Sequence, residues 1–264
     1  IMRKYIFLSC LTLLLVSCSS VLITGRKQLN FVPEREILSM SSQSYKEFIA
    51  SAPLSSDKTN TALVKKIGSN IASAVEIYLR NNGLASEIAN LSWEFNLVKD
   101  TSKNAFCMPG GKVVVFEGIL PIAKNEDGLA VVMGHEIAHA IAKHSNERLS
   151  QQMLAQFGAE LTNILLSNKS EATRVGINTL YGIGVEMGVM LPYSRKQEYE
   201  ADRLGLIFLA MAGYNPQESV AFWQRMAAAS SGSNIEFLST HPSDQNRIKK
   251  LQEFIPEAMK YYNK

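Results

Sequence analysis

Cysteine is scarce in this chain of 264 residues: Cys10, Cys18 and Cys107 are all it has. Surplus charge is scarce too. The formal net charge is +3, and without Arg3 and Lys4 the balance is 25 basic against 24 acidic residues, which leaves no electrostatic footprint for nucleic acid. No uninterrupted apolar run reaches the roughly 20 residues of a helical membrane span. Internal repeats and low-complexity tracts are missing as well. What is present is a globular composition, 46% hydrophobic and 19% charged, long enough for one sizeable domain or two small ones.

The N-terminus carries the first pattern. Arg3 and Lys4 precede an apolar run over residues 5–16, too short to span a bilayer comfortably but of the length of a secretory leader. The run stops at Leu15-Val16-Ser17-Cys18. That tetrapeptide resembles the lipobox of bacterial lipoproteins, which makes Cys18 the expected lipidation site. The expected organisation is therefore a signal segment over 1–17, a lipidated cysteine and tether over 18–32, and a single domain over 33–264. Cys10 would leave with the leader, so Cys107 has no disulfide partner.

Pro33 and the acids Glu34 and Glu36 open a helix expected to reach residue 50. Leu63, Ile67, Ile71 and Val75 recur at helical spacing, and Asn81-Asn82-Gly83 ends that second helix. Alternation of Trp93, Phe95 and Leu97 predicts a strand over 92–98, and the β-branched run Lys112–Phe116 predicts another. Beyond Glu126 helices are expected at about 126–146, 147–167, 171–190, 195–212, 216–230 and 243–254. The fold class is mainly α with a small antiparallel β-sheet.

His135-Glu136-Ile137-Ala138-His139 has the form H-E-x-x-H. Helix positions four apart differ by about 40° in direction and stand one turn apart, so both imidazoles reach one ion. Glu136, beside the first ligand, can take a proton from water at that ion. Gly134 allows another backbone to come close. His144 lies about 140° round the helix from His139 and reads as structural. A third ligand is required. Glu198 and Asp202 are four apart at the start of a later helix, so one can bind metal while the other orients a ligating histidine; acids at a helix start also suit its dipole. Glu200 points away from that face and is assigned to solvent.

These motifs together resemble the zinc-metallopeptidase family of the CAAX prenyl protease, the HtpX heat-shock protease and the periplasmic protease BepA, in its lipoprotein and periplasmic branch. The resemblance runs over about residues 24–255. It includes Thr24-Gly25-Arg26-Lys27-Gln28-Leu29, Asn104-Ala105-Phe106-Cys107-Met108-Pro109-Gly110-Gly111-Lys112, the segment from His139 to Arg148, His241-Pro242 and Arg247. Cys107 stands where a small residue is usual. The resemblance implies a zincin-like domain with one zinc ion per chain. It makes His135, His139 and Glu198 the ligands, Asp202 the carboxylate that orients a ligand, and Glu136 the general base. It gives Lys112, Val113, Val114, Val115 and Phe116 the role of an edge strand that pairs with extended substrate. His241 is implied either as an occupant of the metal's open position or, with Arg247, as a group facing the developing oxyanion.

The implied activity is that of a metalloendopeptidase of the bacterial cell envelope, lipid-anchored at the outer membrane and facing the periplasm. Its expected partners are misfolded or stalled envelope proteins and the membrane that holds the anchor. One rival is a chaperone-like or binding protein with a latent zinc site; the intact Glu136 weighs against a purely structural ion. Another is a membrane-embedded prenyl-protein protease, against which the absence of a long apolar span weighs.

Overall fold

The computed structural model describes residues 18–21, 24–165, 167, 171, 194–229, 235–241 and 245–262. The helix expected at 171–190 lies outside them apart from residue 171. Contacts divide the chain into two units, Ile1–Glu36 with Lys143–Pro192, and Ile37–Ala142 with Tyr193–Lys264.

In the first unit β1 (Cys18–Ser20) pairs antiparallel with β2 (Lys27–Leu29). The expected tether is thus partly a hairpin, and it is fastened. Arg26 gives a two-pronged ion pair to Glu147, both contacts 2.7 Å. The Phe31 N–H donates to Ser150 Oγ, and Asn146 Nδ2 donates to the Val32 carbonyl. Glu147, Asn146 and Ser150 belong to a helix over His144–Leu165, which begins on a buried His144. The active-site helix therefore does not run on to residue 146. It stops at Ile141, and Lys143, at φ 59°, turns the chain.

In chain order the α-helices among the described residues are α1 (Glu34–Ser51), α2 (Lys58–Asn81), α3 (Leu120–Ala123), α4 (Glu126–Ile141), α5 (the His144–Leu165 helix), α6 (Arg195–Met211), α7 (Glu218–Ala229), α8 (Glu236–Thr240) and α9 (Gln245–Ala258). Side-chain caps fix several starts. Asp57 accepts from the Asn60 N–H at α2 and Asn125 from the Gly128 N–H at α4. Ser194 and Gln197 form a reciprocal capping box at α6, which sets Glu198 in its first turn.

The second unit holds a three-stranded sheet in the order β3 (Glu94–Val98), β5 (Lys112–Phe116), β4 (Ala105–Met108). β4 and β5 are antiparallel, but β3 and β5 are parallel, so the expected antiparallel sheet is mixed. A turn joins β4 to β5: the Gly111 N–H donates to the Met108 carbonyl, with Pro109 second and Gly110, at φ 88°, third. Only glycine takes that third position without strain. One sheet face packs on α1 through Tyr45, Val98, Val114 and Phe116, with Phe48, Ile49 and Phe106 against them.

This topology overturns the edge role expected for Lys112, Val113, Val114, Val115 and Phe116. Strands occupy both sides of β5, all five residues are buried, and its backbone is consumed by the ladder. Lys112 is tied inward, donating to Glu94 and to Ser92. Among the described strands of this sheet, the outer ones are β3 and β4.

Candidate metal centre

Two helices cross at the centre of the second unit, α4 and α6. Gly134 and Gly205 meet there, and a Cβ added at Gly205 would stand 2.9 Å from the Gly134 carbonyl carbon. Missing side chains let the backbones come this close, as expected for Gly134. The contact places His135, one residue on, opposite Glu198 and Asp202.

Four side chains point their ligand atoms at one another: His135, His139, Glu198 and His241, all within 4.8 Å. His135 Nε2 is 3.1 Å from His139 Nε2 and 3.3 Å from His241 Nδ1. Glu198 Oε1 lies 3.3 Å from His139 Nε2 and 3.0 Å from His241 Nδ1. His135 Nε2 is 3.5 Å from Glu198 Oε2. Each residue is buried. Three imidazole nitrogens and a carboxylate converging away from water suit a zinc ion, which takes nitrogen and oxygen ligands in a tetrahedral set. A water-excluding cluster of such groups is otherwise costly.

The surroundings agree with that fit. His135 Nδ1 is 3.0 Å from Asp202 Oδ1, which fixes the ring so that Nε2 faces the cluster. Burial and the Arg247 charge oppose protonation of His135, but hydrogen bonds to Asp202 and Glu198 outweigh them and raise it to about 9. The pocket's own carboxylates thus favour positive charge at this point. Burial likewise opposes ionisation of Glu198, yet Arg247, His241, His135 and His139 hold it well below the usual carboxylate range. Asp202, buried too, is lowered chiefly by Arg247.

Arg247 comes from α9 and is 1% exposed. Its Nε and Nη2 donate to the two oxygens of Asp202 at 2.7 and 2.8 Å, and its Nη1 lies 2.7 Å from Glu198 Oε2. The guanidinium rests on the Trp223 ring at 3.5 Å. It is placed to position the two carboxylates rather than to meet an oxyanion.

Glu136 stands beside the cluster, and its Oε1 is buried and accepts no hydrogen bond among the described residues. Burial pushes its carboxyl above the usual range, the Glu198 charge adds to that, and His241, His135 and Arg247 only partly offset it. His241 Nε2 is 3.4 Å away. His241 therefore faces the ligands with one ring nitrogen and Glu136 with the other.

Two aromatic residues of the site have no motif in the sequence. Trp223 of α7 sits under Arg247 and edge-on to His135, at 5.5 Å. Phe237 of α8 stacks on His241 at 4.5 Å and 23°. A buried aromatic in a helix reads as core; only the four-residue step from Phe237 to His241 hints at the stack. Glu200 is buried, not solvated, because α6 is covered on more than one side. Cys107 is buried in β4, and burial together with the Glu136 charge pushes its thiol up, so it carries no thiolate for nucleophilic chemistry. His144 is outside the cluster.

Residues 68–255 match Peptidase family M48. The chain is 41% identical to the mitochondrial metalloendopeptidase OMA1 of Schizosaccharomyces pombe over 175 residues, 66% of this chain and 50% of that protein. It is 31% identical to the mitochondrial metalloendopeptidase OMA1 of Bos taurus over 249 residues, 90% of this chain and 46% of that one. The beta-barrel assembly-enhancing protease of Escherichia coli is 29% identical over 75% of this chain and 39% of its own length. The chain spans about half the length, or less, of these relatives.

Proposed function

The chain belongs to peptidase family M48, a family of zinc metallopeptidases, and we propose that it is an endopeptidase that cuts unfolded or misassembled proteins at a cell-envelope membrane. The observation that carries this reading is the convergence of His135, His139 and Glu198 on one point, with the unbonded carboxylate oxygen of Glu136 beside it.

His135, His139 and Glu198 would hold the ion. Zinc supplies Lewis acidity there, acidifying water and polarising a peptide carbonyl. Glu136 takes the proton of the attacking water and returns it to the leaving amine. Without the ion, burial holds its carboxyl above the usual range. Asp202 keeps His135 in the tautomer that offers Nε2, and Arg247 keeps Asp202 and Glu198 ionised and in place. β4 replaces Lys112–Phe116 as the docking edge: it is an outer strand, and Cys107 upon it lies within electrostatic reach of Glu136. Backbone pairing there would accept many sequences, as an unfolded substrate requires.

His241 defines the state of the site. With Nδ1 at the ligands and Nε2 toward Glu136, it stands between the metal position and the base, which suits a closed, latent enzyme. The N-terminal basic and apolar pattern supports a bacterial lipoprotein anchored through Cys18, at the outer membrane and facing the periplasm. The names of the relatives, metalloendopeptidases of mitochondria and a barrel-assembly protease of Escherichia coli, support protein quality control as the role. A chaperone-like protein with a latent zinc site is the second reading, favoured by the same placement of His241.

The test compares the wild-type chain, Glu136→Gln and His241→Ala for zinc content and for cleavage of casein. Equal zinc in all three is expected. Cleavage should be lost in Glu136→Gln by a factor of at least about 100 and raised in His241→Ala. Zinc without cleavage in both wild type and His241→Ala would favour the binding-protein reading; a well-folded chain without zinc would remove the metallopeptidase.

A further inference from the structure

The outer edge of β3 is only half used. The Glu94 N–H donates to the Gly111 carbonyl at 3.0 Å, and the parallel register sets Glu94 against Lys112 and Phe95 against Val113. In such a ladder alternate residues bond to the neighbour, so the peptide groups of Phe95 and Leu97 face away from β5. Leu97 finds a partner on that side. Its carbonyl accepts from the Ser55 N–H at 2.9 Å, and the Lys99 N–H donates to the Pro53 carbonyl at 2.7 Å. Residues 53–55 thus lie along the edge as a short antiparallel strand, bridged at Leu54 and Val98. After Ser55 the chain leaves to cap α2 with Asp57. The Phe95 N–H and carbonyl are left with no partner among the described residues.

Beside this open stretch lies a groove of about 530 Å³ between β3 and α2, lined by Lys65, Ser69, Ser73, Glu76, Trp93 and Asn96. The rings of Trp93 and Phe95 stack along it, 6.1 Å apart and 10° from parallel. Gly68 gives the Phe95 ring its place; a Cβ there would lie 2.2 Å from it.

We infer that this edge of β3 binds an extended segment of an unfolded polypeptide substrate, as a second docking strand remote from the catalytic edge. The inference rests on the endopeptidase reading. A strand edge with a free N–H and carbonyl is complemented by another extended backbone, and residues 53–55 already present one to the adjoining half. Backbone pairing is indifferent to sequence, while Lys65 offers a charge to passing side chains and Glu76 is held by Arg80 and Trp93. β3 and β4 are the two outer strands of a three-stranded sheet, about 10 Å apart. A segment held at β3 must therefore loop round the sheet to be cut, so long unfolded substrates gain from the site and short peptides do not.

The test has two arms. In the full chain carrying Glu136→Gln, amide exchange at Phe95 is expected to slow when reduced, carboxymethylated casein is added. In the active chain, Ser69→Trp with Ser73→Trp fills the groove from exposed helix positions. That double variant should raise KM for casein about tenfold with kcat unchanged and leave a short fluorogenic peptide unaffected. Casein bound with Phe95 exchange unchanged, or cut with wild-type KM by the variant, would overturn the docking edge and leave the peptidase standing. Exchange at Phe95 that slows with the chain's own concentration would overturn it in favour of edge-to-edge pairing of two copies. Failure to bind casein at all would overturn it as well, and cleavage of the short peptide then tells whether the peptidase reading falls with it.

Discussion

Arg247 is 1% exposed, and a guanidinium so placed is stable only where anions and acceptors surround it. Asp202 and Glu198 do so, with the Trp223 face below. The ligand set and its support are therefore one electrostatic unit. Asp202→Asn keeps the shape and removes the charge. It is expected to weaken zinc binding by about 10–100-fold, because His135 exchanges a charged acceptor for a neutral amide and becomes a poorer donor to the ion. It should also destabilise the fold by about 3–5 kcal/mol, since Arg247 keeps its burial and loses half its compensation. Chelator competition and thermal unfolding measure the two effects; unchanged zinc affinity would mean that Asp202 does not orient His135. The sequence displays His135, Glu136 and His139 openly because helical spacing alone brings them together. It displays Glu198 and Asp202 as a pair without dividing their roles, which depend on Arg247, a residue 45 positions beyond Asp202. Trp223 is unreadable in advance, since burying an aromatic needs no further reason. Glu200 was misplaced because a helical wheel grants one buried face, and α6 has more.

Elements succeed or fail by a similar logic. The long helix α2, with regular apolar spacing, is readable to within a few residues, whereas α4 starts where expected but ends five residues early, at the turn of Lys143. β4 is not readable: four residues between an asparagine and a Pro-Gly-Gly turn hold too little alternation to be seen. The central place of β5 had a signal, its unbroken apolar run Val113 to Phe116, which marks a strand covered on both faces. The tie that matters most between elements is the α4–α6 crossing. Adding a methyl at Gly205 brings it within 3.0 Å of the His135 backbone nitrogen, and backbone cannot swing aside as a side chain can. Gly205→Ala is expected to cost about 1–3 kcal/mol in stability. It should also widen the gap between His135 and Glu198 and so lower zinc affinity with every ligand intact. Thermal unfolding and zinc titration on the same protein check this; a stability loss with unaltered zinc binding would show that the site tolerates a wider crossing.

At the scale of the molecule, the cluster joins segments far apart in the chain: α4 supplies two groups, α6 one, and His241, at the end of α8, the fourth. None of the described helices is long and apolar enough to cross a membrane. An ion bound in the cluster ties α4, α6 and the His241 segment together, and it stabilises the folded chain by mass action. Free zinc at 100 times its dissociation constant contributes about 2.7 kcal/mol. Chelation is therefore expected to lower the melting temperature reversibly and to speed amide exchange first around residues 135–139, 198–202 and 241. The β1–β2 hairpin is held on α5 by the Arg26–Glu147 pair, within the first unit, and its exchange should not change. Exchange mass spectrometry with and without chelator separates the outcomes. A rise confined to the ligand-bearing helices supports a metal that organises the catalytic unit, whereas an equal rise in the hairpin would mean that the ion's influence extends through the whole chain.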